Sequence, residues 1–101
     1  MLNIVLICQF GASTGMLADN IIQAAKDRSI EAVVNAYSIS DAKDVVGNAD
    51  IVLLGPQLRF QQKKIEQMVN GEIPVMVIEP FDYGMVNGEA VLTAALNKIK
   101  K

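Results

Sequence analysis

The sequence predicts an α/β domain: a four-stranded open parallel sheet, ordered 2-1-3-4, with helices on both faces. Three observations carry that expectation. Short apolar runs rich in β-branched residues recur along the chain, as expected for strands buried on both faces. Between them lie stretches in which apolar residues return at helical spacing. The two patterns alternate strictly, and a strand joined to the next by a helix implies a parallel pair with a right-handed crossover. A chain of 101 residues has room for one core, so residues 1–101 are read as one domain with no linker, repeat or low-complexity tract.

Leu2 to Cys8 (LNIVLIC) is the first strand. A helix begins at Ser13 or Thr14, with Leu17, Ile21, Ala24 and Ala25 on one face and Asp19, Lys26 and Arg28 mostly off it. Ile30 to Tyr37 is the second strand. The Ser38-Ile39-Ser40-Asp41 stretch reads as a cap for a short helix from Ser40 to Val46, which Gly47 stops. Asp50 to Leu54 is the third strand. Pro56 suits the first turn of a helix running from Gln57 to Val69, with an inner stripe of Leu58, Ile65, Met68 and Val69 and a stop at Asn70-Gly71. Pro74 to Ile78 is the fourth strand, and Phe81 to Gly84 a turn or short helical piece. Glu89 to Lys100 is the last helix, with Val91, Leu92, Ala95, Leu96 and Ile99 inward; Lys98, Lys100 and Lys101 suit the negative end of its dipole. Met16, Met68, Met76 and Met85 are assigned to packing.

Composition removes several kinds of chemistry. The chain has no histidine, which excludes a Ser-His-Asp or Cys-His mechanism within it, histidine-ligated metal and a phosphohistidine of its own. One cysteine, Cys8, leaves no internal disulfide, no CxxC pair and no cysteine zinc cage, and a lone thiol fits a reducing compartment. Nine basic against eleven acidic residues argue against a nucleic-acid partner, which clustered Lys and Arg would serve. No apolar run reaches the roughly 18 residues of a membrane span, and the first strand lacks the basic lead of a signal peptide. The expected location is cytoplasmic. No metal and no cofactor are expected.

In a sheet of this order, ligands bind beyond the carboxyl ends of the strands where the order reverses, here between strands one and three. Cys8 ends strand one and Gly55 follows strand three, so the lone thiol and the switch point coincide. After Cys8 come Gln9, Phe10, Gly11, Ala12, Ser13, Thr14 and Gly15, a short Gly-containing loop leading into a helix start. Free N–H groups at such a junction hold an anion, Gly11 permits close backbone approach, and Ser13 and Thr14 add hydroxyls. The dipole that holds an anion also favours a thiolate. The plain alternative is that a cysteine closing a buried strand is only a small apolar residue.

The pattern C-x-x-G-x-S-T-x from Cys8 to Gly15 resembles the active-site loop of the B component of bacterial sugar phosphotransferase systems, in the lactose/cellobiose (chitobiose) class. Leu53-Leu54-Gly55-Pro56-Gln57 is similar to that family's LLGPQ stretch, and Tyr83-Gly84 to its Tyr-Gly pair after strand four. The resemblance extends over nearly the whole chain. It departs at Ala12, where some members carry Met, and at Gln9 and Phe10, where small residues are common. The resemblance implies a phosphatase-like P-loop after strand one and a phosphocarrier subunit. Cys8 would accept phosphate from a phosphohistidine of the A component and pass it to a sugar during uptake through the membrane-embedded C component, at the inner face of the membrane. It implies that Gln9 to Gly15 bind the phosphate, and it places Gly55, Pro56, Gln57, Phe81, Tyr83 and Gly84 at the partner-facing rim. The sugar itself is left open.

Other readings compete. A low-molecular-weight tyrosine phosphatase has a C-x5-R-S/T loop, but the arginine position here is Thr14, and the planar bidentate partner for transition-state charge is missing. Asp82 would have to serve as its general acid; a surface-turn aspartate is the simpler reading. A flavodoxin-like flavin module would use the Gly11-Ala12-Ser13-Thr14-Gly15 stretch, yet two Tyr, three Phe and no Trp offer little to cover a flavin ring. A receiver domain needs an acid ending strand three, where Leu54 stands. No GxxxxGK[ST] is present. Arg59, Lys63 and Lys64 are assigned to a solvated helix face, and Phe10 and Phe81 either to an apolar rim or to packing.

Overall fold

A computed structural model describes residues 1–9 and 14–99, with the side chain of Thr14 left aside. Four parallel strands, β1 (Leu2–Cys8), β2 (Ala32–Ser38), β3 (Ile51–Leu54) and β4 (Val75–Val77), form one sheet in the order β2-β1-β3-β4. This is the expected order. Helices α1 (Thr14–Asp27), α2 (Ala42–Val45), α3 (Gln62–Met68), α4 (Pro80–Gly84) and α5 (Gly88–Ile99) fill the connections and the end of the described chain. The central strand β1 pairs along its whole length with β2, from Leu2↔Ala32 to Cys8↔Ser38, and with β3 from Ile4↔Ile51 to Ile7↔Leu54.

The period-two alternation of strand side chains divides the core in two. Ile4, Leu6, Ile51 and Leu53 point to the face covered by α1 and α5, where they meet Leu17, Ile21, Val91 and Leu92. Val5, Ile7, Val52 and Leu54 point to the other face, with Ala42, Val46, Leu58 and Ile65. Each such aliphatic side chain removed from water contributes about 1.5–3 kcal/mol before the entropy of ordering is counted. Arg28 braces the α1–α5 pair from outside, bonding the Glu89 carboxylate and the Thr93 hydroxyl at 2.6 Å each.

Several boundaries differ from the sequence expectation, each for a local reason. β2 starts at Ala32 because the Ile30 amide donates to Ala25 and closes α1, with Ser29 in a left-handed turn at φ 59°. Ser38 does not cap a helix. Its hydroxyl donates to the Asp41 carboxylate at 3.3 Å and meets the Ser40 hydroxyl at 2.8 Å, so a 3-10 turn (Ile39–Asp41) precedes α2. Gly47 lies inside a second 3-10 turn (Val46–Asn48) and does not stop the helix; the chain turns extended at Ala49. After β3 the first turns are 3-10 (Pro56–Gln61), and α3 is confined to Gln62–Met68. β4 is short, yet the ladder continues at both its ends, from the Val52 amide to the Pro74 carbonyl and from the Ile78 amide to the Leu54 carbonyl. Three methionines assigned to packing are exposed, Met16, Met68 and Met85, because each falls off the buried stripe of its segment; Met76 packs against the α1–α5 core as expected. Lys100 and Lys101 lie outside the described residues.

Candidate functional site

The carboxyl ends of β1 and β3 lie side by side, held by the Ile7↔Leu54 register and by the Gly55 amide donating to the Ile7 carbonyl at 2.9 Å. Cys8 and Gly55 therefore face each other across the switch point, where the sequence put them. The Cys8 side chain is 1% exposed but joins neither hydrophobic cluster. Its Sγ sits 3.0 Å from the Tyr83 hydroxyl. A β-carbon placed on Gly55 would lie 2.7 Å from that same sulfur, 2.7 Å from Gln57 Oε1 and 3.7 Å from the Tyr83 ring. Four residues from three separate segments thus converge: Cys8 from β1, Gly55 and Gln57 from the turn after β3, and Tyr83 from α4.

Each is positioned by its own element. Cys8 is the last paired residue of β1, opposite Ser38. Gly55 has φ −59° and ψ 149°, a backbone any residue adopts, so glycine stands there for room rather than for conformation. Pro56 follows at the helix start, where its missing N–H is no loss, and the Leu58 amide bonds back to the Gly55 carbonyl at 2.9 Å. Tyr83 is half-buried against the α1–α5 core, and its amide donates to Glu79 at 2.9 Å.

The remaining expected site residues fare differently. Gln9 and Gly15 are exposed, and Thr14 is the first residue of α1. Phe10, Gly11, Ala12 and Ser13, the centre of the expected P-loop, lie outside the described residues. Phe81 is 74% exposed on α4, which suits a rim and not packing. Gly84 is exposed, and among the described residues nothing lies within 4 Å of an added β-carbon there. Arg59, Lys63 and Lys64 are exposed, as assigned. One feature escaped the sequence reading: Phe60, 75% exposed, stands on the 3-10 turns after β3. With Met16 near the start of α1 and Phe81 on α4, it puts large apolar groups on three elements that begin at the carboxyl end of the sheet. The signal was available, since Phe60 is out of step with the buried Leu58–Ile65 stripe.

A doubly wound parallel sheet with Cys8 at its switch point places the chain among α/β proteins whose ligand crevice lies beyond the carboxyl ends of the strands. Comparison with known proteins makes this specific. Residues 3–94 match the family described as "PTS system, Lactose/Cellobiose specific IIB subunit". The cellobiose-specific EIIB component of Lactococcus lactis subsp. lactis (strain IL1403) is 33% identical over 100 residues, covering 93% of each chain. The solution structure of a cellobiose-specific IIB component from Borrelia burgdorferi aligns with a TM-score of 0.78 at 40% identity, covering 98% of this chain and 92% of that one. The lactose-specific IIB domain of Streptococcus pneumoniae aligns with a TM-score of 0.85 at 18% identity over 96% of both chains, which shows the shared fold. The chain belongs to the lactose/cellobiose IIB family of the phosphotransferase system, and is a phosphotransferase subunit. The tyrosine-phosphatase and flavin-module alternatives are not favoured. Among the described residues no helix is long and apolar enough to cross a membrane.

Proposed function

We propose that Cys8 is the phosphoryl acceptor of this subunit. The observation that carries the reading is the placement of its sulfur at the switch point, against the Tyr83 hydroxyl at 3.0 Å. The donor is a phosphohistidine of the A component, consistent with a chain that has no histidine of its own. The Cys8 thiolate attacks phosphorus in line; the S–P bond forms as the N–P bond breaks, and its electron pair stays on the imidazole nitrogen. In the second half, presented by the membrane-embedded C component at the inner face of the membrane, a sugar hydroxyl forms an O–P bond. The S–P electron pair returns to the sulfur and the hydroxyl proton goes to solvent. Such transfers depend on positioning and electrostatic support more than on added covalent chemistry. Backbone N–H groups between Gln9 and Gly15 are the proposed cradle for the phosphoryl oxygens.

The sugar is proposed to be of the cellobiose/lactose class, on the strength of relatives named for cellobiose. Pro56, Gln57, Phe81 and Gly84 form the proposed partner-facing rim, with Phe60 and Met16 as additions, while Gly55, buried, and Tyr83, half-buried, lie beneath it against the sulfur. Intact-mass analysis after incubation with phosphorylated A component tests the acceptor. The expected result is one added phosphoryl mass on the parent and none on Cys8→Ser; a serine variant labelled at the parental rate overturns it.

A further inference from the structure

We infer that Tyr83 positions the phosphoryl-accepting sulfur, and that Gly55 is the clearance that allows it to do so; this rests on the reading of Cys8 as the acceptor. Tyr83 comes from α4, 75 residues along the chain, yet its hydroxyl lies 3.0 Å from Cys8 Sγ. With a neutral thiol either atom can donate. Once the sulfur is a thiolate only the phenol O–H can, because the sulfur then has no proton to give. A hydrogen bond to the charged form therefore tethers the nucleophile along one direction and leaves its other lone pairs for phosphorus. A free cysteine side chain has one freely turning bond, and losing the tether spreads the sulfur over rotamers that do not face the incoming group.

The platform is rigid where it needs to be. The Tyr83 ring packs against the core shared by α1 and α5, and its amide and carbonyl are bonded to Glu79 and Val86 at 2.9 and 3.1 Å. Next to the sulfur, the Gly55 amide is fixed to the Ile7 carbonyl, so the backbone there cannot retreat without breaking that bond. A β-carbon there would lie 2.7 Å from Sγ, so the sulfur must leave the position in which it meets the hydroxyl. The second atom it would meet, Gln57 Oε1, is the end of an exposed and flexible side chain and yields easily. Both residues thus bear on the same contact, Tyr83 by making it and Gly55 by leaving room for it. Tyr83 keeps its proton throughout; the bonds made and broken are those of the transfer itself.

Single-turnover transfer from phosphorylated A component tests this with Tyr83→Phe, which keeps the ring, and Gly55→Ala, which keeps the hydroxyl. Each is expected to lower the maximal rate roughly tenfold while leaving the half-saturating concentration of the A component unchanged. The double variant is expected to match the single variants, because both changes break the same contact. A Tyr83→Phe protein at the parental maximal rate, a loss confined to half-saturation, or a double variant whose losses multiply overturns the inference. Should Gly55→Ala fail to fold, the ring-carbon Cζ resonance of Tyr83 serves instead: it is expected to move between the parent and Cys8→Ala, and an unmoved resonance overturns the tether. A parent that takes no phosphoryl group on Cys8 defeats the acceptor reading; a parent that takes it, with Tyr83→Phe its equal, defeats only the positioning role.

Discussion

Gly55 and Gly88 both stand where an added methyl group would collide, but with different things. At Gly88, the first residue of α5, a β-carbon would run into the backbone of Asn20 and Ile21 on α1. At Gly55 the three nearest atoms among the described residues belong to side chains, those of Cys8, Gln57 and Tyr83. Gly88 lets two long helices approach over the core face, and its neighbourhood is stitched by structural bonds such as Asn20 Nδ2 to the Val86 carbonyl at 2.8 Å. Gly55 leaves space around the proposed acceptor sulfur. Backbone cannot yield without moving a helix, whereas a sulfur can rotate. One close approach therefore lies between backbones in the core, and the other lies at the proposed acceptor.

Variants at the two places should separate these roles. The largest effect is expected for Cys8→Ser, which removes phosphoryl relay in a coupled transfer assay while costing about 1 kcal/mol of stability by denaturant titration, since the new hydroxyl can still bond Tyr83. Gly88→Ala comes next on the stability side. Overpacking against the α1 backbone should cost about 2–3 kcal/mol, read as a lowered denaturation midpoint, with the transfer rate of the folded fraction unchanged. If Gly88→Ala instead slowed transfer as Gly55→Ala is expected to, the contrast would fail. Phe81→Ala is expected to raise the half-saturating concentration of the A component severalfold, without changing the maximal rate and with stability within about 0.5 kcal/mol of the parent, as befits an exposed apolar rim residue. The smallest effect is expected at the amino end of the same strands, where the Asp50 carboxylate accepts the Asn3 amide at 2.7 Å in solvent. Asp50→Ala should cost about 0.5–1 kcal/mol in denaturant and leave transfer intact.

The legible parts of the molecule are those set by local pattern. β1 runs from Leu2 to Cys8 as its apolar run indicates, and Leu17, Ile21, Ala24 and Ala25 are all buried as the helical spacing requires. Errors fall where neighbouring groups compete for the same partner. Ser38 bonds Ser40 and Asp41 instead of capping, and the Ile30 amide ends α1 instead of opening β2. Methionine, flexible and apolar, carries no periodic signal of its own, so Met16 and Met85 read as core although both are exposed.

Strand–helix alternation, the coincidence of the lone thiol with the switch point, and the loop and LLGPQ patterns belong to the sequence alone, because they depend on residue type and spacing. The meeting of Cys8 with Tyr83, and the steric reason for Gly55, were decided only by the tertiary structure. A hydrogen bond between residues 75 positions apart, and a gap left by an absent methyl group, arise when α4 is packed back over the end of β1; no local pattern encodes either.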